Sequence, residues 1–228
     1  MYLPREIEEI KEQGWVVHGR SEHTVYCHIS EIPENGADIG HFNPVHQVNA
    51  LYGSDLQQIN KSKQMLSNHI WSNASWKADE EDWYLATGTL EHEIKIAGYR
   101  VPFLQTNHSF EQIGPGVVYL KSFESANAPV VLYVLVVPVA PFTTKLFHVV
   151  VSRKTLIGKL QALTVISIEN IMVERDIVIW NNKKFTNRSV FSSSYSDELI
   201  KKFRRWYSQF YSENSGAKSR ELNADFSW

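Results

Sequence analysis

Cysteine is nearly absent from this chain. One residue, Cys27, among 228 excludes an internal disulfide and any cysteine-rich metal site, and points to a reducing compartment. Neither sign of charge dominates: 23 Lys and Arg stand against 25 Asp and Glu, so a net charge of −2 offers no field that would gather nucleic acid. The one basic cluster, Lys201, Lys202, Arg204 and Arg205, falls on an expected helix and reads as its solvated face. Long apolar runs are missing too. The longest, Ala128 to Pro141, is too short to span a membrane, is rich in Val and contains Pro138, so it reads as a buried strand. No apolar signal stretch opens the chain, because Arg5, Glu6, Glu8 and Glu9 stand where it would lie. The Asn-x-Ser triplets at Asn60, Asn73, Asn107 and Asn187 then read as chance matches. With no Pro/Gly/Ser-rich linker and no internal repeat, one soluble domain over 1–228 is expected.

What is present is ordinary in hydrophobic content, 43%, and generous in aromatics: seven Trp, ten Tyr and eleven Phe. Such rings suit a bulky core or a pocket for a large apolar ligand. A short helix is expected over Glu6–Gln13. Trp15–His18 and Thr24–Ile29, around Gly19-Arg20-Ser21, suggest a hairpin. Strands are expected over Trp83–Leu90, His92–Ala97, Gly116–Phe123, Val130–Val139 and Lys145–Ser152, with breakers at Gly98, Gly114-Pro115-Gly116 and Pro138–Pro141. Leu156, Leu160, Leu163 and Ile166 space a helix over Thr155–Val173. Leu199, Phe203, Trp206 and Phe210 space another over Asp197–Ser212, with Ser196 as its N-cap. The fold class is therefore α+β: a curved antiparallel sheet with a long C-terminal helix across it, a helix-grip of the START/Bet v1-like kind.

The segment Asn35-Gly36-Ala37-Asp38-Ile39-Gly40-His41-Phe42-Asn43-Pro44-Val45-His46 carries the chemistry. Two imidazoles five residues apart do not share a face of a regular helix, so both meet one ion only where the helix ends or distorts, as Pro44 allows. Two His and one carboxylate leave open positions for O₂ and substrate, the facial triad of non-haem Fe(II) oxygenases. Glu174 and Asp176 are the candidates for that carboxylate. On spacing alone, two ordinary core or surface histidines fit as well. A Zn²⁺ hydrolase is chemically open, though no general base stands at the spacing such enzymes use. A lipid-binding module without chemistry is a further reading of the same fold.

In register, Asn35, Asp38, His41 and His46 resemble the Asn-x-x-Asp-x-x-His-x-x-x-x-His motif of the Rieske-type non-haem iron oxygenase catalytic domain. Asp176-Ile177-Val178-Ile179-Trp180 resembles that family's distal carboxylate segment. The likeness runs from about Gly19 to Glu213. It includes His18-Gly19-Arg20-Ser21-Glu22, His28–Asp38 and the aromatic stretch Arg204–Tyr211, and is strongest toward the cholesterol 7-desaturases of the Neverland type and weaker toward the 3-ketosteroid 9α-hydroxylases. The resemblance implies mononuclear Fe(II) on His41, His46 and Asp176, with Asp38 as the bridge that carries electrons between metal sites. It implies O₂ as oxidant, and electrons from NAD(P)H through a reductase and a Rieske [2Fe–2S] cluster. The activity implied is cholesterol 7,8-desaturation in steroid metabolism, of the kind that feeds ecdysteroid synthesis; steroid 9α-hydroxylation is the alternative. A homotrimer and membrane association at the endoplasmic reticulum are implied for the full-length form. One cysteine cannot hold the cluster. The chain therefore reads as a fragment lacking the Rieske domain and an N-terminal membrane segment, or as a domain served by a separate Rieske partner.

Overall fold

The computed structural model describes residues 14–57, 67–101, 105–122, 130–183 and 194–211. The helix expected over Glu6–Gln13 lies outside them. The described strands are β1 (Trp15–Val25), β2 (Ser67–Ala78), β3 (Leu85–Ile96), β4 (Tyr99–Arg100), β5 (Thr106–Ile113), β6 (Val117–Ser122), β7 (Val130–Ala140) and β8 (Thr143–Arg153). They form one antiparallel sheet in the order β1-β8-β7-β6-β5-β3-β2, with β4 on β3. The helices are α1 (Glu31–Glu34), α2 (Phe42–His46), α3 (Leu156–Asn181) and α4 (Tyr195–Tyr207). An open antiparallel sheet crossed by one long helix is the expected α+β arrangement.

Strands form where β-branched and aromatic residues alternate in and out. In β8 the face toward α3 buries Thr144, Leu146, His148, Val150 and Ser152, each two residues from the next, and Val151 is buried on the other face. Helix α3 lies over this half of the sheet. Its Ala162 and Ile166 pack with Val130, Leu132 and Val150, and its Val173 and Trp180 pack with Val25, Val136 and Leu146. Over the other half, Leu199, Phe203, Trp206 and Tyr207 of α4 bury against Trp76, Ala86 and Phe110. Gly88 makes that contact possible, since a Cβ there would stand 2.1 Å from the Phe110 ring and 2.5 Å from the Ser75 carbonyl. Cys27 is fully buried, and burial pushes its thiol up to about 12, as befits an inert core residue.

Several expectations change. Gly19-Arg20-Ser21 is no turn. β1 runs unbroken along β8, from Trp15 opposite Arg153 to Val25 opposite Thr144, and the irregularity between Val17 and Gly19 leaves His18 as the extra residue. A continuous ladder outweighs a small polar stretch on an edge strand. β3 is one strand rather than two. β2 and β5 were not expected, because their buried faces are built of His, Trp and Gln, which hides the apolar alternation. The α4 N-cap is Ser194, whose side chain accepts from the Asp197 amide, and not Ser196.

Helix α3 continues eight residues past the expected end. Ile177-Val178-Ile179 is β-branched and weakens helix propensity, but burial of Met172, Val173, Asp176 and Trp180 outweighs it. By length and composition alone α3 is long and apolar enough to cross a membrane. Here it crosses the sheet, with Leu156, Ile157 and Leu160 facing outward.

The basic cluster on α4 is not all solvated. Arg204 is buried and grips Glu34 of α1 with Nε at 2.6 Å and Nη2 at 2.7 Å. Lys183 bonds Glu31 of the same helix. Two buried glutamates on one four-residue helix repel, and burial together with Glu34 raises Glu31 while Lys183 draws it down. These cations therefore pin α1, and with it the loop that leads to His41. Arg204→Met strands Glu34 beside Glu31 without its guanidinium, and should cost about 3 kcal/mol of stability, read as a lowered urea midpoint.

Candidate metal centre

His41 precedes α2 and His46 ends it. From the N-cap and the last residue of this short helix, the two rings converge. Their centroids are 5.2 Å apart and nearly perpendicular. Asp176 of α3 completes the group, with Oδ1 3.2 Å from His46 Nε2. One ligand atom from each of His41, His46 and Asp176 lies within 4.8 Å of the others, the one such grouping of three among the described residues. Donors about 2.1 Å from one ion and at right angles to each other lie about 3 Å apart, so the His46–Asp176 pair already has the required spacing. Of the two carboxylates weighed from sequence, Asp176 joins the histidines, while Glu174 does not belong to this group.

Hydrogen bonds fix the imidazoles. His41 Nδ1 donates to the Asp38 carbonyl, which leaves Nε2 as the free lone pair. Burial lowers His41 below its ordinary value, opposed by the charge of Asp176, so the ring is neutral and fit to ligate. The Asp38 carboxylate is 4.0 Å from His41 Nδ1 and 34% exposed. It accepts from Gly40 N at 3.2 Å and Ser196 Oγ at 3.4 Å, so it sits at the outer rim of the site.

The anchor of this arrangement is Arg175, which sequence reasoning missed. It is fully buried, and its guanidinium donates to the carbonyls of Val48 at 2.7 Å, Asn49 at 3.2 Å and Gly53 at 2.7 Å, with a longer contact to Val45. It thus ties the chain that follows His46 to the helix position beside Asp176. The available signal was an arginine interrupting an apolar helix next to a candidate ligand. α2 is held from the other side by β2: Asn43 exchanges two hydrogen bonds with the Trp71 backbone, Trp71 Nε1 donates to the His46 carbonyl, and His69 N donates to Gln47 O.

Beyond Trp71 runs a row of histidines. His69 Nδ1 is 2.5 Å from His92 Nε2, His92 Nδ1 is 3.1 Å from Thr106 Oγ1, and Thr106 Oγ1 is 3.0 Å from His108 Nε2. Cross-strand pairing places His92 between Trp71 and Thr106, the paired role expected for it. Burial pushes His69 and His108 down to about 4 and His92 to about 3. A hollow of about 170 Å³ lined by Ser75, Lys77, Thr89, Glu111 and Lys121 lies on the opposite face of the sheet and carries none of these groups.

Two outcomes follow from this geometry. Arg175→Leu leaves several carbonyls buried without donors at about 1–3 kcal/mol each, and should lower the urea midpoint sharply, with Arg175→Lys restoring only part. The histidines titrate near 6.5 when unfolded and far lower when folded, so acid favours the unfolded chain. Stability should be full above about pH 6.5 and fall as pH drops toward 4, in urea titrations across that range. His92→Gln should flatten the slope.

A profile of the 3-ketosteroid 9α-hydroxylase C-terminal domain family matches residues 1–211. The chain is 37% identical over 210 residues to cholesterol 7-desaturase nvd of Xenopus laevis, covering 92% of this chain and 46% of that protein. To the protein of the same name from Drosophila melanogaster it is 36% identical over 222 residues, covering 97% and 50%. It thus spans about half the length of the curated relatives it matches. The solved structure of Pseudomonas putida CBB5 NdmA with caffeine superposes with a TM-score of 0.58 over 90% of this chain and 54% of that one, at 13% identity, a likeness of fold alone. With that profile covering nearly the whole chain, the protein belongs to the 3-ketosteroid 9α-hydroxylase C-terminal domain family, a family of Rieske oxygenase catalytic domains.

Proposed function

We propose that this chain is the catalytic part of a longer oxidoreductase that introduces the 7,8 double bond into cholesterol. The observation that carries the reading is the convergence of two imidazoles and one carboxylate on a single point. Relatives named cholesterol 7-desaturase, at up to 37% identity among those compared, favour desaturation over the ketosteroid hydroxylation in the family's name.

The overall reaction removes one hydrogen from each of two neighbouring sterol carbons. With two electrons and one proton from NAD(P)H and one further proton from the medium, O₂ leaves as two waters. Fe(II) held by His41, His46 and Asp176 would supply the chemistry of O₂ reduction and hydrogen removal. The residues of this chain hold and orient. His41 keeps its Nδ1 proton on the Asp38 carbonyl, and Arg175 and Trp71 set the position of His46. Asp38, at the rim and beside His41, fits a bridge through which electrons arrive from a Rieske [2Fe–2S] cluster, supplied by another part of the full-length protein or by a partner and fed by a reductase. In this reading the full-length form assembles as a trimer, each cluster serving a neighbouring iron, and associates with the endoplasmic reticulum membrane. The outward Leu156, Ile157 and Leu160 give apolar surface for such an association.

Anaerobic Fe(II) titration tests the centre. The chain should bind one iron, and His41→Ala, His46→Ala or Asp176→Ala should each weaken binding by roughly a hundredfold or more. Undiminished iron binding by the Asp176 variant would sink the assignment. In the full-length protein Asp38→Asn should keep its iron and lose NAD(P)H-driven product, measured as 7-dehydrocholesterol by mass spectrometry.

A further inference from the structure

Under α3, two helical turns before Asp176, polar atoms gather without partners. His148 of β8 is 1% exposed and its Nδ1 is buried with no hydrogen bond. Its Nε2 stands 3.7 Å from Oε1 of Glu169, beyond hydrogen-bond reach. Ser21, directly across the β1–β8 ladder from His148, has a buried Oγ without a partner. His23, whose ring centroid is 6.1 Å from that of His148, has a buried Nδ1 in the same condition. Four side chains from three elements thus face one another and leave donors and acceptors unused.

Glu169 closes the group from the helix side. It is half-buried, with 30% of its side chain accessible, so a water or ligand atom can reach it. Seven residues separate it from Asp176, which puts both on one stripe of α3 about 10.5 Å apart along the axis. The charges of His46 and Asp176 reach it. Burial pushes its carboxyl up to about 7, so it is protonated in part near neutral pH, and pushes His148 down to about 4, so that ring is neutral there. The neighbouring wall is apolar: Val130, Leu132, Val150, Ala162 and Ile166.

A buried donor or acceptor left unpaired costs about 1–3 kcal/mol, so such a group awaits water or a ligand atom. A neutral imidazole, and a carboxyl in its protonated form, each offer both a donor and an acceptor, which matches a hydroxyl. The apolar wall beside them excludes a strongly polar molecule.

We propose that Ser21, His23, His148 and Glu169 form a subsite for a single uncharged hydroxyl on an otherwise apolar substrate. This rests on the sterol reading above, in which the 3-hydroxyl is the only oxygen of cholesterol. The subsite anchors that end of the molecule, so that the hydroxyl sets which ring carbon stands before His41, His46 and Asp176. Their distance along α3 makes this group a specificity determinant and not part of the metal centre.

The test needs no turnover. The 228-residue chain, loaded with Fe(II) under argon, is titrated calorimetrically with cholesterol and with cholest-5-ene, which lacks only the hydroxyl, each delivered in cyclodextrin. Cholesterol should bind roughly tenfold or more tightly, the loss expected when a hydroxyl-binding site is left unpaired. Glu169→Leu should bring cholesterol down to the affinity of cholest-5-ene. Glu169→Gln, whose amide still donates and accepts, should keep most of the preference. Where Glu169→Leu loses the native near-ultraviolet circular dichroism, Ser21→Ala at the sheet edge replaces it, with the preference reduced severalfold. Equal affinity of the wild type for both sterols overturns the anchor and spares the sterol reading. Binding of neither overturns both, and an intact preference in the variants overturns the assignment of these residues.

Discussion

The position of the candidate metal centre depends on one cation that has no carboxylate bonded to it. Among the described residues, Arg175 satisfies its guanidinium on main-chain carbonyls drawn from the chain between Val45 and Gly53, with a longer contact to the Met172 sulfur. A side chain held by carboxylates could slide with them, but carbonyls belong to the backbone whose course they define. The segment after His46 is therefore fixed relative to α3, and the residue next to Arg175 is Asp176. The 3.2 Å separation of His46 and Asp176 is the outcome of that clasp rather than of any attraction between the two side chains.

A second set of buried ions works on the other ligand. Glu31 and Glu34 sit on a helix too short to be stable by its own hydrogen bonds. Lys183, just past the end of α3, and Arg204 from the last turn of α4 meet them from two directions. The helix is thus positioned by both long elements that cover the sheet. His41 follows seven residues after Glu34, and the Asp38 carbonyl that orients it is itself in the turn this helix begins. Charge burial here costs desolvation, and the return is placement of the first ligand relative to the helix that carries the third.

Much of this was legible in the residues, and the misses share a physical cause. Strands of Val, Leu and Tyr, such as β7, announce themselves because their buried face is apolar. β2 and β5 do not, because what they bury includes His69 and Gln112, residues a hydropathy pattern scores as surface. The same chemistry hid the supporting residues of the site. The two histidines and Asp38 were visible through their spacing, and Asp176 through likeness of its segment. Arg175, Asn43 and Glu169 were invisible, since each acts on groups distant in sequence and none stands at a fixed position of the motif. α3 ran past its expected end for a related reason. Its β-branched close disfavours a helix locally, and only the packing of Val173 and Trp180 holds it helical.

His46 and Asp176 are about 130 residues apart in the chain, and every strand from β2 to β8 lies between them. An ion bridging them would close a loop containing nearly the whole sheet, with the closure entropy of so long a loop already met by the folded strands. During synthesis the earlier half of the cradle leaves the ribosome long before α3 exists to complete it. Capture of an ion there would therefore be a late event, and a chain interrupted anywhere in the sheet carries two histidines with no partner to finish the cradle. In this architecture a full cradle reports that the fold has been completed.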